Sequence, residues 1–188
     1  MKTPNVELKG IKTFRGNEGY GFNATIYVNG VKCMFVIDDA NGGCYNYESF
    51  IYKNSNADLV KENIKLLNEY IKTLPEQPMV FDGKPYKKDG KIVMLKPDMD
   101  SFIDEILNKE LIKKEKEKLL KKMLKLQNTS IIYGIPNSEQ FSYIQWNKPL
   151  KDLPIQILQN KITDIVNKFC KNGIVILNTN LNELNLIY

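Results

Sequence analysis

Along the first fifty residues apolar and polar positions alternate with a period of two, the pattern of strands that bury one face. Residues 6–14 (VELKGIKTF) and 21–28 (GFNATIYV) read as two strands, and Asn29-Gly30 is the preferred type I′ turn into a third, Val31 to Asp38. A two-residue loop pairs Val28 with Val31, Ile26 with Cys33, Ala24 with Phe35 and Phe22 with Ile37, which predicts that these side chains share one buried face. The other face, with Asn23, Thr25, Tyr27, Lys32, Met34 and Val36, is mixed. Asp38 to Gly43 is turn chemistry, and Cys44 to Phe50 completes an antiparallel sheet.

The period then lengthens. Val60, Ile64, Leu67, Ile71 and Leu74 recur at helical spacing, with Ser55 as the expected N-cap, Asp58 three residues on, and Pro75 as the stop. This helix is expected to pack on the hairpin's apolar face. Residues 76–96 are rich in proline, glycine and lysine, with turns at Asp82-Gly83 and Asp89-Gly90 and a strand at Lys91 to Leu95. Two lobes are predicted on either side of this stretch, 1–96 and 97–188. Asp98 or Asp100 caps a long helix with no glycine or proline before Gly134, amphipathic at first through Met99, Phe102, Ile103, Ile106 and Leu107. Unbroken to Leu126, it would span roughly 40 Å. Thr129 to Ile135 and Phe141 to Trp146 form a second hairpin around Pro136-Asn137-Ser138. Asp152 with Pro154 opens a third helix through Ile155, Leu158, Ile162, Ile165 and Phe169, ended by Gly173, before a short strand at Ile174 to Leu177. The tail from Asn178 alternates asparagine with leucine and predicts no regular element, and no internal repeat is evident. The fold class is therefore α+β: an N-terminal antiparallel sheet with a packed helix, then a long helix and a second hairpin-plus-helix lobe.

Composition narrows the chemistry. A chain of 188 residues, 43% hydrophobic and 26% charged, buries a core without staples. Cys33, Cys44 and Cys170 form no C-x-x-C pair and cannot all be bridged, which points to a reducing compartment. Met1-Lys2-Thr3-Pro4-Asn5 has no apolar stretch behind its lysine and no run reaches membrane-spanning length, so a cytoplasmic protein is expected. The chain has no histidine, which excludes Ser-His-Asp and Cys-His catalysis and H-E-x-x-H zinc sites. Cys44 has no base to activate it and reads as an ordinary buried thiol.

Net charge is +5, and residues 109–126 supply all of it. Within them Lys114, Lys118, Lys121, Lys122 and Lys125 share one helical stripe that can track a phosphate backbone or an acidic protein, or simply face water. Leu119, Leu120, Met123, Leu124 and Leu126 give the same helix an apolar side for a core, a partner helix or a homodimer. Arg15 is the only arginine, so any RNA or DNA contact is expected to be nonspecific attraction of lysine for phosphate.

Three smaller features carry alternatives. Arg15-Gly16-Asn17-Glu18-Gly19-Tyr20-Gly21 could bring backbone amides to a phosphate, but it leads into a strand rather than a helix, which favours a structural turn with Arg15 and Tyr20 as contacts. Asp38, Asp39 and Glu48 would bind magnesium if they converge, the basis of a metal-dependent nuclease reading. Pro97-Asp98 is not followed by the acidic-x-lysine triplet of a familiar nuclease motif. Outside that reading no cofactor is implied. Tyr45 and Tyr47 share one side of their strand and could stack bases beside Tyr27, or pack in the core.

Lys9-Gly10, Phe14-Arg15-Gly16, Glu18 to Asn23, Ile37-Asp38-Asp39 and Gly42-Gly43-Cys44-Tyr45 together resemble small uncharacterised proteins of phages and related mobile elements. A looser likeness runs through Leu74-Pro75, Pro97-Asp98-Met99-Asp100 and Trp146 to the final helix. The resemblance implies a phage accessory protein acting inside a bacterium, where inhibitors of host defence such as anti-CRISPR proteins are common, and it supplies no catalytic residue. The expected function is a non-enzymatic inhibitor that binds a bacterial defence protein or nucleoprotein complex through its basic helix. The alternatives are the magnesium nuclease, acting on guide or phage nucleic acid, and a structural or regulatory interaction protein.

Overall fold

Alternating valine, isoleucine and phenylalanine build a meander at the N-terminus. In the computed structural model, which describes residues 3–53, 56–81, 83–182 and 186, β1 (Val6–Arg15), β2 (Tyr20–Val28), β3 (Val31–Asp38) and β4 (Asn46–Ser49) pair antiparallel in chain order. Asn29 and Gly30 both take positive φ, 51° and 79°, as a type I′ turn requires.

Past this turn the register departs from a straight hairpin. Val28 faces Val31 and Tyr27 faces Lys32, but Ile26 then faces Met34 and Ala24 faces Val36, so Cys33 is an extra residue in β3. The covered face is Phe22, Ala24, Ile26 and Val28 with Met34 and Val36, while Phe35 and Ile37 are only half-buried. The expected pairs of Ile26 with Cys33, Ala24 with Phe35 and Phe22 with Ile37 do not form. The physical reason is the unbroken apolar run Cys33 to Ile37: a slip of one residue there buries no polar side chain, so alternation cannot select the register. Cys33 is nonetheless fully buried, its Sγ donating to Val31 O at 3.3 Å, and burial pushes its thiol up.

Helix α1 (Ala57–Lys72) packs on β2 and β3 as its apolar stripe predicts. Its N-cap is Asn56, whose Oδ1 accepts from Leu59 N at 3.3 Å, and Ser55 lies outside the described residues. The buried stripe is Val60, Asn63, Leu67 and Ile71, with Asn63 rather than Ile64 at its second turn. Asn63 Oδ1 accepts from Asn29 Nδ2 at 2.9 Å and its Nδ2 donates to Leu59 O at 2.9 Å. This polar pair ties the hairpin turn to the helix.

Residues 77–95 fold as three two-residue ladders in place of the single expected strand. These are β5 (Gln77–Pro78), β6 (Val80–Phe81), β7 (Lys84–Pro85), β8 (Lys87–Lys88), β9 (Lys91–Ile92) and β10 (Met94–Leu95), paired β5 with β10, β6 with β7 and β8 with β9. A ring of backbone bonds closes the centre: Met79 N donates to Val93 O at 2.8 Å, Val93 N to Tyr86 O at 3.0 Å, and Tyr86 N to Met79 O at 2.7 Å. These three residues are evenly spaced in the sequence, and Gly83 and Gly90, both of positive φ, turn two of the arms. The segment is thus a short internal repeat with a period of seven residues, the spacing of Met79, Tyr86 and Val93.

Helix α2 (Met99–Leu126) is unbroken. Asp98 and Ser101 close a reciprocal cap, Ser101 N donating to Asp98 Oδ1 and Asp98 N to Ser101 Oγ, both at 2.9 Å. Among the described residues, no helix is long and apolar enough to cross a membrane. The chain divides into two compact units, Met1–Glu110 and Leu111–Tyr188, and the division falls inside α2.

In the second unit β11 (Ser130–Gly134) lies between β12 (Ser142–Gln145) and β13 (Val175–Ile176), antiparallel to both. Helix α3 (Ile155–Phe169) contributes Leu158, Ile162 and Ile165 to a core with Ile131, Leu150, Leu181 and Leu186. Ile155 and Phe169, which share the helical spacing, remain 55% and 43% exposed at the helix ends, though Phe169 stacks on Tyr133. After β13 the described residues form no further α-helix or strand, as the tail's composition predicts, yet Asn178, Leu181 and Leu186 are buried. Asn178 is buried and acts as a strand in miniature, accepting from Ile132 N at 2.6 Å and donating to Ser130 O at 2.8 Å.

Candidate functional site

The second half of α2 presents two different sides. At 3.6 residues per turn Lys114, Lys118, Lys121 and Lys125 fall within an arc of roughly 60°, with Lys122 at its margin. All five are exposed. Among the described residues none of them has a carboxylate within 4.0 Å, although Lys65 and Lys109 elsewhere pair with acids at helical spacing. Lys122 Nζ instead lies 5.6 Å from the Phe141 ring centroid.

The opposite side is apolar. Leu119 and Met123, with Leu120 at the rim, line a groove of about 240 Å³ shared with Ile135, Phe141 and Leu177 of the second unit. Leu120 and Leu124 remain 55% and 45% exposed, so the apolar side is only partly covered. The lysine face points its charge into water, where an ammonium loses little on meeting an anion that water also reaches.

In the first unit Arg15 and Tyr20 pair across the ends of β1 and β2, and Tyr20 is 79% exposed. The loop between them is closed on its own protein. Gly16 N donates to Gly19 O and Glu18 N to Ala40 O, both at 2.9 Å, while Asn17 Nδ2 donates to Asn41 Oδ1 at 3.0 Å. Two of the amides that a phosphate would need are thus already committed. Close approach explains the glycines: a Cβ on Gly21 would stand 2.3 Å from Asp38 O, and one on Gly16 would stand 2.5 Å from Ala40 Cβ. Gly21→Ala is accordingly expected to cost at least about 2 kcal/mol in thermal or denaturant unfolding, since backbone must move at both loops.

Asp38 and Asp39 also serve their own loop. Asp38 Oδ1 accepts from Ala40 N at 2.9 Å and Asp39 Oδ1 from Asn41 N at 3.1 Å, while Glu48 stands opposite Phe35 in the β3–β4 ladder. Among the described residues no group of three His, Cys, Asp or Glu side chains is placed to hold a metal ion, so these three carboxylates do not converge as the nuclease reading needs. Cys44, expected to be buried, is exposed.

The tyrosines are used differently from a stacking platform. Tyr47 O–H donates to Asp100 Oδ1 at 2.7 Å, Tyr45 O–H donates to Asp104 Oδ1, and Tyr45 N donates to Asp100 Oδ2 at 3.0 Å. The Tyr45 ring meets Phe22 edge-on at 5.2 Å, whereas Tyr27 sits on the other face with Lys9 Nζ 4.5 Å from its centroid. Tyr45 and Tyr47 therefore latch the sheet to the first turns of α2. Burial, then hydrogen bonding to the carboxylates, raises both phenol pKa values. Burial also raises the Asp104 pKa, assisted by Asp100, Asp38 and Asp98, against the Tyr45 bond that lowers it. A raised folded-state value means that the Asp104 contribution to stability is complete below the ordinary carboxylate value of 3.8 and declines as pH rises through the folded value. Asp104→Asn keeps an acceptor for Tyr45 without the charge. Its melting temperature, measured against wild type, is expected to match at acidic pH and to gain on it progressively toward neutral pH.

Sequence reasoning missed Asp100 and Asp104. The only available signal was their i, i+4 spacing beside the buried Ile103 and Leu107, where carboxylates need a partner. Comparison with protein-family models, with curated proteins and with solved structures returns no match.

Proposed function

We propose that the chain is a non-enzymatic binding protein that docks on a polyanionic partner through the exposed lysine face of α2, Lys114, Lys118, Lys121, Lys122 and Lys125. The observation that supports this reading is a set of five exposed ammonium groups with no carboxylate in ion-pairing range among the described residues, on a helix whose apolar side chains lie on the other side and are partly covered. Such a face is attracted to phosphate or clustered carboxylate, and with no arginine among its cations it has no fork with which to read base edges. A nucleoprotein offers both kinds of anion. The phage-type resemblance of the first quarter of the chain supplies the setting, a bacterial cell, and the class of partner, a defence protein or nucleoprotein that the chain inhibits in the manner of an anti-CRISPR protein. Arg15 and Tyr20 remain accessory contacts in this reading.

The experiment is capture with the tagged protein from a bacterial lysate, with and without nuclease treatment, identifying protein and RNA together. Recovery of one defence complex that persists at moderate salt supports the reading. Recovery of heterogeneous nucleic acid alone, released as salt rises, reduces α2 to a generic polycation and sinks it.

A further inference from the structure

The three-armed element at 77–95 exposes apolar side chains that its own fold cannot cover. Met79, Val80, Phe81, Tyr86, Ile92, Met94 and Leu95 are between 37% and 66% exposed. Ladders of two residues have no second layer beneath them, and an apolar cluster left in water marks a contact surface more often than a structural one. At its base lies a groove of about 380 Å³ lined by Pro78, Met79, Val80, Leu95 and Pro97 together with Lys96 and Asp98, whose carboxylate already accepts from Ser101 N and Oγ. Around the arms stand Lys84, Lys87, Lys88 and Lys91, all exposed, and among the described residues none has a carboxylate within 4.0 Å.

We propose that this element docks an acidic protein segment that also carries apolar side chains, one seated in the groove and its carboxylates against the lysines of the arms. Charge and shape choose this occupant over the others. A second copy docked through the same patch would bring a second set of four lysines into one interface, and like charges at close range oppose association. Nucleic acid would gain from the lysines and could stack on Phe81 or Tyr86, but the other five exposed side chains, Met79, Val80, Ile92, Met94 and Leu95, are not aromatic and are better covered by apolar side chains than by bases. A bilayer surface suits a convex apolar tip, whereas part of this apolar surface is a concave groove. The surface is distinct in sequence from the lysine face of α2, so its fate does not depend on that reading.

The test is fluorescence anisotropy of the intact protein with a labelled synthetic peptide that alternates glutamate with leucine and phenylalanine. The controls are the same peptide with lysine for glutamate, phosphatidylglycerol vesicles and a single-stranded oligonucleotide. The acidic peptide is expected to bind, to protect amides of 79–95 from hydrogen exchange, and to lose about tenfold or more in affinity both in Lys84→Glu/Lys87→Glu/Lys91→Glu and in Phe81→Ser/Ile92→Ser. Reversing Lys114, Lys118, Lys121 and Lys125 should leave that affinity unchanged. No peptide binding, equal binding by the arm variants, protection elsewhere, preference for vesicles or oligonucleotide, or self-association abolished by Phe81→Ser/Ile92→Ser would each overturn the proposal.

Discussion

Lys114→Glu/Lys118→Glu/Lys121→Glu/Lys125→Glu is expected to lose at least about a hundredfold in affinity for the captured partner while its melting temperature falls by no more than about 5 °C. Each reversal changes the charge by two, so residues 109–126 pass from +5 to −3 and the field at the helix face changes sign. Stability is spared for three reasons. The four side chains are exposed, none of them is ion-paired among the described residues, and lysine and glutamate have similar helix propensities. Lys125 is the exception, because it lies in the last turn, where a cation meets the negative end of the dipole and its reversal costs roughly 0.5 kcal/mol. Affinity is read by calorimetry or interferometry at several salt concentrations. If phosphates are the contacts, the salt slope of the quadruple Lys→Gln variant should fall by about 0.9 for each lysine removed. Full binding by the folded Glu variant would remove the lysine face from the interface.

Why some of this architecture can be read from the sequence and some cannot comes down to which residues had alternatives. Asn29-Gly30 was legible because few dipeptides take two positive φ angles at low cost, and the stripe Val60, Leu67 and Ile71 because helical spacing puts all three on one face. The β3 register was not, since five apolar residues in a row fit the core in either register and the choice is made by contacts around Cys33. Residues 77–95 escaped for a different reason: what holds them is a ring of main-chain bonds between Met79, Tyr86 and Val93, and their seven-residue spacing, though present in the sequence, is too sparse to read as either a helical or a strand period. The candidate site divides the same way. The lysine stripe is a property of helical spacing and so was visible. The Asp100 and Asp104 latch depends on which residues of β4 and the segment before it meet which turn of α2, a long-range fact with no local signature. Arg15 and Tyr20 were placed correctly at the ends of a structural turn, but the reason that the turn is closed, amides consumed by Gly19 and Ala40, lies more than twenty residues away for Glu18.

Asn178 carries the largest expected effect on folding. It lies in a tail whose composition suggested no structure, yet its side chain is 4% exposed and completes the edge of β11 at Ser130 O and Ile132 N. Asn178→Ala removes both partners at once and leaves a buried amide and a buried carbonyl without hydrogen bonds. At about 1–3 kcal/mol for each unsatisfied group, a loss near 3 kcal/mol is expected. In a unit of this size that lowers the melting temperature by roughly 15 °C. Exchange should accelerate at the amides of β11 and α3, which share the core with Leu181 and Leu186, while those of β2 and α1 in the other unit keep their protection. Asn178→Asp separates the two bonds. It keeps the acceptor for Ile132 N but sets a carboxylate against the Ser130 carbonyl, so its defect should be severe at neutral pH and partly relieved in acid, where a protonated carboxyl can donate to Ser130 O. A loss below about 1 kcal/mol for Asn178→Ala would mean that water replaces both bonds, and that the tail is laid over the core rather than built into it.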